Sequence, residues 1–562
     1  YVGCPFCGLP KQHSGLSFSR MLASEIRTPH KPDTSHLTVF HDVGGLCENS
    51  QGLLWPKLAH LIMEFIDALT GGFSSLGSLP IAIALVIGAA LGIVVGVLPG
   101  VGPGVTIAVL LPFTYGMAPL GGISLLLGVY CGAFYGGAVT SILIRTPGEA
   151  SSIMTMFDGY PLARQGQAQR ALSLAFMSAF VGGIASALLL GLVARPMAGF
   201  AAKFGAAENV MAILLAAVCV GKAYRRQFPA AMMMMGFGFF LATVGIDPNS
   251  NEQRFTFGIP GMLSGIPLVP VAVGLFGMAQ ALVMVSSPVP QFDASLIKSA
   301  GLSWRGFLEP FRYPKAMLKG LLLGSGIGVL PAVGAALSTS LAYFWAQQGA
   351  KDPTPFGQGN PEGIVAAECA NNSNSGGAMI TVLTLGIPGD AITAIIMGVF
   401  VVHGIVPGPS LFTDRPEIIN GVLASLLVIN FVILGLLILT VKPLARLAYV
   451  NPRILGLIIL ALSFVGSYSA ANSMYYVIIA AIFGVFGLVC ARAKIPTIPL
   501  ILGMVMGDTL EASLRQLLGR SDGSLEPFIT RPVSLAMFIA ILLILFWPFL
   551  MALTKRLKNP NV

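Results

Sequence analysis

The chain has 562 residues, of which 55% are hydrophobic and only 10% are charged. An average soluble domain has about 25% charged residues, so this composition excludes an ordinary soluble protein and predicts a membrane protein. The formal net charge of +9 would suggest nucleic-acid binding in a soluble protein, but the basic residues lie in short connections between apolar runs, where they indicate membrane topology.

Residues 1–62 differ from the rest of the chain: they are polar and irregular, without an apolar run long enough to cross a bilayer. Met63 then begins an amphipathic segment before the first apolar run. We therefore predict that Met63 is the natural start and that residues 1–62 are an upstream, non-native or disordered extension. Cys4 and Cys7 have the spacing of a zinc-binding pair, but further ligands do not follow at a recognised spacing, and no metal site is predicted.

From residue 63 onward, the apolar residues form runs of about 20, the length that crosses a bilayer. Clear examples are residues 81–97, 171–194, 418–441 and 533–553. We count on the order of 12 such runs and predict an all-α fold, a polytopic helical membrane protein of about 12 transmembrane helices.

A basic connection at residues 291–317 divides the chain into two parts. Residues 63–290 are predicted to form a first transmembrane repeat, and residues 318–562 a second repeat with a C-terminal span. The basic residues of the centre and of the tail are best placed in the cytoplasm. They are Lys298, Arg305, Arg312, Lys315, Lys319, Lys555, Arg556 and Lys558.

The two parts contain similar glycine- and proline-rich motifs in the same order. The pairs are residues 96–102 with 328–334, residues 136–149 with 376–390, and residues 267–274 with 496–503. The offsets are similar: 331 − 99 = 232, 376 − 136 = 240, 388 − 147 = 241 and 496 − 267 = 229. Three ordered matches predict a transporter-like architecture of two repeated halves.

Glycine and proline clusters inside apolar segments predict broken or re-entrant helices. The backbone groups that such breaks release are tolerated at membrane depth only where protein or a water-filled cavity satisfies them. Half-helix N-termini then suit an anionic substrate, and unwound carbonyls suit Na⁺. The candidate binding positions of this kind are Pro99, Gly100, Gly102, Gly136, Gly137, Pro147, Gly148, Pro331, Gly376, Gly377, Pro388 and Gly389.

The most polar stretch beside an apolar run is residues 368–377. Its Asn371, Asn372 and Ser373 offer neutral oxygens and amide donors, which suit a carboxylate together with an alkali cation. The alternative is a solvated loop before a span. Thr384 continues toward the next break, and its hydroxyl could equally bond to the helix carbonyl four residues earlier.

Glu149 and Asp390 follow Pro-Gly at equivalent positions of the two halves. An acid near the membrane interior is a candidate for H⁺ or Na⁺ coupling, whereas an acid in the first turn of a half-helix is also favoured by the helix dipole alone. Nearby Arg145 could neutralise a substrate carboxylate, pair with Glu149, or extend to the lipid headgroups.

Other classes of function find little support. The glycines at 96–104 lack the Lys-Ser/Thr ending of a phosphate loop, and no catalytic motif is present, so we predict no catalytic residue and no cofactor apart from Na⁺ or H⁺ as a coupling ion. An intramembrane enzyme is an alternative from another class, although only His403 among the histidines lies clearly within the membrane region. A channel is a further alternative, because broken helices also form ion filters.

Together, several motifs resemble the large membrane subunit of the tripartite tricarboxylate transporters, the TctA family, over nearly all of the chain from Met63 to the last span. The motifs are residues 96–102, 135–149, 158–163 (DGYPLA), 356–359 (FGQG) with Glu362-Gly363, 370–372 (ANN), 383–389 (LTLGIPG) and 403–409 (HGIVPGP). Two positions depart from the pattern: Ala332 stands where the family often has Gly, and Asn-Asn is followed by Ser373 where the family usually has Ala.

The resemblance implies a bacterial cytoplasmic-membrane uptake system driven by an ion gradient. Its partners would be a small membrane subunit (TctB-like), a periplasmic solute-binding protein (TctC-like) and the lipid bilayer, with no nucleic acid. Citrate, other di- and tricarboxylates and aromatic carboxylates are the implied substrates. We expect alternating access around Asn371, Asn372 and Ser373, assisted by the four proline breaks. Loops near Arg195/Lys203 and Lys442/Arg446 are both basic, which mildly disfavours an inverted arrangement of the halves.

Overall fold

The computed structural model describes residues 54–287, 296, 299–331 and 333–558. Nearly all of the described residues belong to one compact unit, Ile62–Val562. Cys4, Cys7, Lys298 and Ala332 lie outside the described residues, as does most of the 1–62 extension. Met63 lies inside a helix that begins at Leu54, so the boundary expected after residue 62 falls within a helix.

The first half contains ten helices and one short hairpin in the described residues. The helices are α1 Leu54–Leu76, α2 Leu79–Val97, α3 Gly102–Leu110, α4 Pro119–Ile144, α5 Ile153–Leu162, α6 Ala168–Ala201, α7 Ala206–Ala223, α8 Phe228–Ala242, α9 Leu268–Ala272 and α10 Ala279–Ser286. The hairpin pairs β1 Gly245–Ile246 with β2 Gln253–Arg254 in antiparallel register. Tighter or wider turns lie at Leu111–Gly116, Ala150–Ser152, Ala163–Gln167, Arg225–Gln227, Pro260–Met262 and Val273–Met278.

The second half is helical wherever it has regular structure in the described part. Its helices are α11 Trp304–Leu308, α12 Pro314–Gly328, α13 Ala335–Gln347, α14 Pro361–Leu385, α15 Ala391–Val402, α16 Leu411–Asp414, α17 Pro416–Leu447, α18 Pro452–Ser469, α19 Met474–Arg492, α20 Ile498–Arg520, α21 Pro527–Thr530 and α22 Pro532–Lys558. A 3₁₀ turn, Glu309–Arg312, follows α11.

Eight helices of the described part are long and apolar enough to cross a membrane, and four shorter apolar helices accompany them. Each of the four apolar runs named from the sequence lies within a helix: α2, α6, α17 or α22. The prediction of an all-α membrane protein is confirmed. The count of about 12 spans stays a prediction.

Local sequence explains where several of these helices begin. Pro119, Pro314 and Pro361 each occupy the first helical position, where the missing N–H is not needed. Before Pro361, the Asn360 side-chain oxygen accepts a hydrogen bond from the Glu362 N–H at 2.8 Å. This cap fixes the start of α14, the helix that contains the polar residues 368–377.

The glycine- and proline-rich motifs interrupt helices in both halves. Between α2 and α3 the chain turns through Gly100 and Gly102, which have positive φ angles of 84° and 65°. Between α12 and α13, Gly334 has a φ of 74°. These left-handed conformations favour glycine because a Cβ would be strained there.

Glycines at every fourth position bring α2 and α4 into direct backbone contact. Gly88, Gly92 and Gly96 of α2 face the carbonyl oxygens of Leu125, Val129 and Ala133. A Cβ at any of the three glycines would lie less than 3.0 Å from the facing oxygen. The facing residue numbers rise together, so the two helices run parallel.

The same crossing recurs between α12 and α14. Gly320, Gly324 and Gly328 face the carbonyl oxygens of Ala366, Ala370 and Asn374. The glycines are displaced from those of α2 by 320 − 88 = 232, and the carbonyls from those of α4 by 366 − 125 = 241. Small residues spaced in this way permit close helix packing in membranes.

These contacts correct one detail of the sequence alignment. Gly136 faces Ile93 and Gly96, whereas Gly377 faces Ser325 and Gly328. The structural offset is therefore 377 − 136 = 241, and the pairing of Gly136 with Gly376 was wrong by one residue. Two adjacent glycines in each half made both pairings possible by residue type, and only the backbone contact distinguishes them.

The second break of each half, at Pro147-Gly148 or at Pro388-Gly389, is followed by a short helix that packs against the long helix of the other half. Asp390, the N-cap of α15, bonds Tyr130 of α4, and Val399 of α15 lies against Gly122 of α4, so α15 runs antiparallel to α4. In α5, Thr155 bonds Glu368 of α14, and Asp158 lies at Gly363. Thus α5 is likewise antiparallel to α14, and the two halves interlock through these pairs.

We predict that Gly324→Val destabilises the protein strongly, because the new side chain would meet the Ala370 carbonyl and the Ser373 hydroxyl. Overpacking of this kind costs about 1–3 kcal/mol, and rigid backbone leaves little room for relaxation. Gly326→Val is the matched control, since Gly326 is exposed in the same helix with nothing within 4 Å. Thermal unfolding of both variants in detergent, followed by size-exclusion chromatography, measures the difference. Equal melting temperatures would contradict the proposed importance of the crossing.

Candidate functional site

The polar run in α14 is neither a loop nor solvated. Residues 361–385 form one continuous helix, and every residue from Pro361 to Thr384 is buried. Glu368, Asn371 and Asn374 are 0–1% exposed. The solvated-loop alternative is therefore wrong, and the amides and acid lie inside the protein.

The helix separates the three side chains that the sequence grouped together. The Asn372 amide donates a 3.1 Å hydrogen bond to the Glu368 carbonyl of its own helix. The Ser373 hydroxyl bonds the Ala370 carbonyl and packs at the α12 crossing. Only Asn371 has both amide atoms buried without a hydrogen-bond partner in the described part. Asn371 is thus the member of the trio that is available to a ligand.

The other predicted residues of α14 have packing contacts. The Thr384 hydroxyl donates to the Ile380 carbonyl at 2.7 Å, which is the back-bonded alternative. Gly376 lies against the backbone of Ser186 in α6, and Gly377 lies against Ser325 and Gly328 of α12. These two glycines place α14 close to its neighbours.

Asp390 is a buried acid with a complete set of hydrogen bonds. One carboxylate oxygen accepts from the Tyr130 hydroxyl at 2.6 Å and from the Asn374 amide at 3.4 Å. The other accepts from the Thr393 backbone N–H at 2.7 Å and so caps α15. The capping role considered from the sequence is present, and a tyrosine of the other half adds to it.

Glu149 and Glu368 are less completely satisfied. The Thr155 hydroxyl donates to one Glu368 oxygen at 2.5 Å, but the other Glu368 oxygen is buried without a partner among the described residues. Glu149 Oε2 is buried in the same way. Glu149 lies close enough to Asp390 and Glu368 to interact with both carboxylates electrostatically.

Unpartnered polar atoms in the described part concentrate on the segments that meet here. Nine of the fourteen such atoms belong to Ser141, Glu149, Ser151, Ser152, Ser325, Glu368, Asn371 and Asn374, and the other five belong to Arg254, His403, Asn420, Ser467 and Ser534. Each such group lowers the free energy of unfolding by about 1–3 kcal/mol when it has no hydrogen-bond partner. Native proteins rarely tolerate several together, so this concentration indicates groups that bind a ligand or water.

The second breaks lie against this centre, and the first break of the second half also reaches it, because a Cβ on Gly334 would lie 3.8 Å from the Asp390 Cβ. Gly148 packs on the Gly96 carbonyl and on Gly137, and Gly389 packs on Ala378 and Gly328. Prolines Pro147 and Pro388 immediately precede these two glycines.

Around the first break of each half the contacts are different. The Gly100 carbonyl accepts a 2.6 Å hydrogen bond from Gln280 of α10, and Gly102 has no neighbour within 4 Å. Pro99 and Pro331 are only half-buried. No hydrogen bond of the three central acids reaches these positions in the described part.

Arg145 does not neutralise the buried acids. It ends α4 in a left-handed conformation with a φ of 54°, and it is exposed. Its guanidinium carbon lies 5.7 Å from the centre of the Tyr160 ring, and no ion pair joins it to Glu149. No Lys, Arg or His is buried anywhere in the described part, so the three carboxylates have no basic partner.

A separate acid, Asp158 of the DGYPLA motif, joins that motif to the FGQG motif, which lies far from it in sequence. One of its oxygens accepts hydrogen bonds from the backbone N–H groups of Gly357, Gly359 and Asn360 at 2.8–3.0 Å. The other accepts from the Tyr343 hydroxyl at 2.8 Å. The buried carboxylate thereby holds the loop that connects α13 to α14.

We predict that Asp158→Ala releases this loop, because the buried N–H groups of Gly359 and Asn360 would lose their acceptor at about 1–3 kcal/mol each, and the part-buried N–H of Gly357 would lose it as well. Limited proteolysis with mass spectrometry should then detect new cleavage between residues 348 and 360. Gln358→Ala is the control, since its exposed side chain lies in the same loop. Unchanged protease resistance in Asp158→Ala would show that the carboxylate does not hold the loop.

The sequence interpretation missed Tyr130 and Thr155 entirely, and it did not include Glu368 or Asn374 among the binding residues. Glu368 and Asn371 are three residues apart, and so are Asn371 and Asn374, a spacing that places neighbours on one side of a helix. That periodicity was available in the sequence. Nothing in the sequence linked Tyr130 to Asp390, because 260 residues separate them.

These features define a multi-pass helical membrane protein with a buried, acid- and amide-lined centre between broken helices. The model of the tripartite tricarboxylate transporter TctA family matches residues 82–502, and the chain belongs to that family. The resemblance seen in the motifs is confirmed, and with it the assignment to membrane transport.

Two proteins of Agrobacterium vitis are similar in sequence to this chain. One is an uncharacterized 52.8 kDa protein in the TAR-I ttuC' 3' region, which is 34% identical over 87% of this chain and 97% of its own length. The other is an uncharacterized protein in the TAR-II ttuC' 3' region, which is 33% identical over 38% of this chain and 87% of its own length. No solved structure matches the chain.

Proposed function

We propose that this chain is the large permease subunit of a tripartite, binding-protein-dependent secondary transporter. It imports tricarboxylates or related carboxylates across the bacterial cytoplasmic membrane, and an ion gradient drives the import. The observation that carries this proposal is the group formed by buried Glu368, buried Asn371 and the buried Oε2 atom of half-buried Glu149, which lies where the broken helices of the two halves meet. Family membership supplies the class of substrate and the two partner subunits.

Two repeated halves of inverted orientation are part of the proposal. The constant offsets of 232 and 241 relate the α2–α4 crossing to the α12–α14 crossing. The equivalent helices α4 and α14 run antiparallel, since Cys131 contacts Ser375 whereas Tyr135 lies near Glu368. Antiparallel equivalents support inversion, the arrangement that many secondary transporters use for alternating access.

The basic loops near Arg195/Lys203 and near Lys442/Arg446, which mildly disfavoured inversion, lie at opposite ends of the helices. Arg170, near the start of α6, bonds Glu309 of the central connection at 2.8 Å. Lys442 lines a surface cavity with Gly301 and Trp304, at that same end. Helix α6 has 34 residues and is therefore about 50 Å long, which carries Arg195 toward the other end.

Acidic partners at that other end reduce its positive charge. Arg195 lies 4.0 Å from Glu64, and Arg531 lies 2.5 Å from Glu208. The central connection and the start of the next helix contain Arg305, Arg312, Lys315 and Lys319, and this number of basic residues supports a cytoplasmic location for that end.

Charge balance favours symport over simple anion binding. A carboxylate substrate entering this centre would meet Glu149, Glu368 and Asp390 with no buried basic residue nearby in the described part. Like charges repel strongly where water is scarce. Cations that enter with the substrate remove this repulsion, and the helix starts after the breaks offer N–H groups to the anion.

We predict that Asn371→Ala lowers substrate uptake by roughly tenfold or more, because Asn371 has free amide atoms, and a hydrogen bond to a charged group is worth about 1.5–3 kcal/mol. Asn372→Ala should have a smaller effect, since the Asn372 amide already bonds its own helix. The measurement is counterflow of radiolabelled citrate, a dicarboxylate and an aromatic carboxylate in proteoliposomes with the partner subunits.

Counterflow also tests the class of function. A carrier accumulates label against a preloaded unlabelled substrate, whereas a channel only dissipates the gradient. Uptake without the binding protein would contradict the tripartite mode, and wild-type uptake by Asn371→Ala would remove this residue from the site.

A further inference from the structure

The constant offset of 241 residues relates each contact of α4 with α15 to an equivalent contact of α14 with α5. One contact and its equivalent differ in chemistry. In the first member of the pair, the Tyr130 hydroxyl of α4 bonds the Asp390 carboxylate at 2.6 Å. We call this contact the closed copy. The equivalent positions are 130 + 241 = 371 and 390 − 241 = 149, so the counterpart consists of Asn371 and Glu149, which we call the open copy.

A second contact of the same helices confirms the equivalence. On α4, Gly122 lies at Val399 of α15. Since 122 + 241 = 363 and 399 − 241 = 158, the counterpart should join Gly363 with Asp158. Gly363 does lie at the Asp158 carboxylate. The offset therefore predicts real neighbours on both sides of the interlocked halves.

The open copy contains polar atoms without partners where the closed copy contains a hydrogen bond. Asn371 is shorter than the equivalent tyrosine and is 1% exposed, and both of its amide atoms are unpartnered. Glu149 Oε2 is also buried and unpartnered, as is one oxygen of Glu368, one helical turn before Asn371. The Ser151 and Ser152 hydroxyls, next to Glu149 in sequence, have no partner either.

The chemistry of these atoms selects a cation. The available groups are two carboxylate oxygens, an amide oxygen, two hydroxyls and one donor, the Asn371 Nδ2; oxygens predominate, and no buried Lys, Arg or His competes for them in the described part. No cluster of three His, Cys, Asp or Glu suited to a metal ion occurs among the described residues, so a divalent ion with several carboxylate ligands is disfavoured. Neutral oxygens beside a helix break are typical of Na⁺ sites in secondary transporters.

We propose that the open copy, formed by Glu149, Asn371 and Glu368, binds one Na⁺ ion that is coupled to transport. The closed copy does not bind a cation, because the Tyr130 hydroxyl occupies the equivalent position. The coupling role rests on the proposed function, whereas the binding of Na⁺ can be measured without any substrate.

The test uses the full chain in lipid nanodiscs and measures binding of radioactive ²²Na⁺ together with the rise in melting temperature when NaCl replaces choline chloride. We expect saturable binding to the wild type. Asn371→Tyr should abolish it, because the new hydroxyl recreates the Tyr130–Asp390 contact with Glu149 and closes the site. Glu149→Gln should weaken the apparent affinity at least tenfold, and this smaller change keeps the test valid if Asn371→Tyr fails to fold.

Asn420→Ala is the matched control, because Asn420 also has a buried, unpartnered amide oxygen but lies beside α1 at Gly71 and Gly72. It should bind ²²Na⁺ as the wild type does. Absence of Na⁺ binding by the wild type, or unchanged binding by Glu149→Gln, would overturn the proposal. Carboxylate uptake driven by a pH gradient without Na⁺ would overturn the coupling role of the Na⁺ site and leave the transport function intact. Na⁺ binding without carboxylate counterflow would support the site and contradict the proposed function.

Discussion

The structure depends on two helix crossings in which glycine lets one backbone lie directly on another. At each crossing, three glycines spaced four residues apart face three carbonyl oxygens of a long buried helix. In a membrane, lipid is as apolar as the helix surface, so association relies on close packing and not on the hydrophobic effect. The crossings hold α4 against α2 and α14 against α12, and the chain breaks that follow α4 and α14 reach the centre of the protein.

From that constraint follows the exchange of short helices between the halves. The helices after the second breaks, α5 and α15, pack on the long helix of the opposite half. Helix α15 brings its N-cap Asp390 to the centre, and α5 brings Thr155, which donates a hydrogen bond to Glu368. Because the partners come from different halves, a movement of one half changes the surroundings of Glu149, Glu368 and Asp390 together. An ion bound among them is therefore positioned to link the state of the site to the arrangement of the halves.

The two helix crossings have similar backbone contacts, but the side chains around them differ in chemistry. Tyr130 and Asn371 occupy equivalent positions, yet one completes a hydrogen bond and the other leaves its amide free. The first half lacks an equivalent of the loop that Asp158 holds, since only Met117 and Ala118 separate the corresponding elements there. The two similar crossings thus form the scaffold, and a few side chains that differ between them separate a structural contact from a candidate binding site.

The amino-acid sequence by itself determined the membrane class, the helical fold, the family and the positions of the helix breaks, because hydrophobic run length and the backbone properties of glycine and proline act locally. It also indicated the acids Glu149 and Asp390. Tertiary structure alone decided which polar atoms are free: Asn371 and Asn372 are adjacent in sequence, but helix geometry turns one to its own backbone and leaves the other without a partner. The one-residue register of the repeat and the Tyr130–Asp390 contact likewise depend on helix crossings between distant segments, and no local pattern encodes such distances.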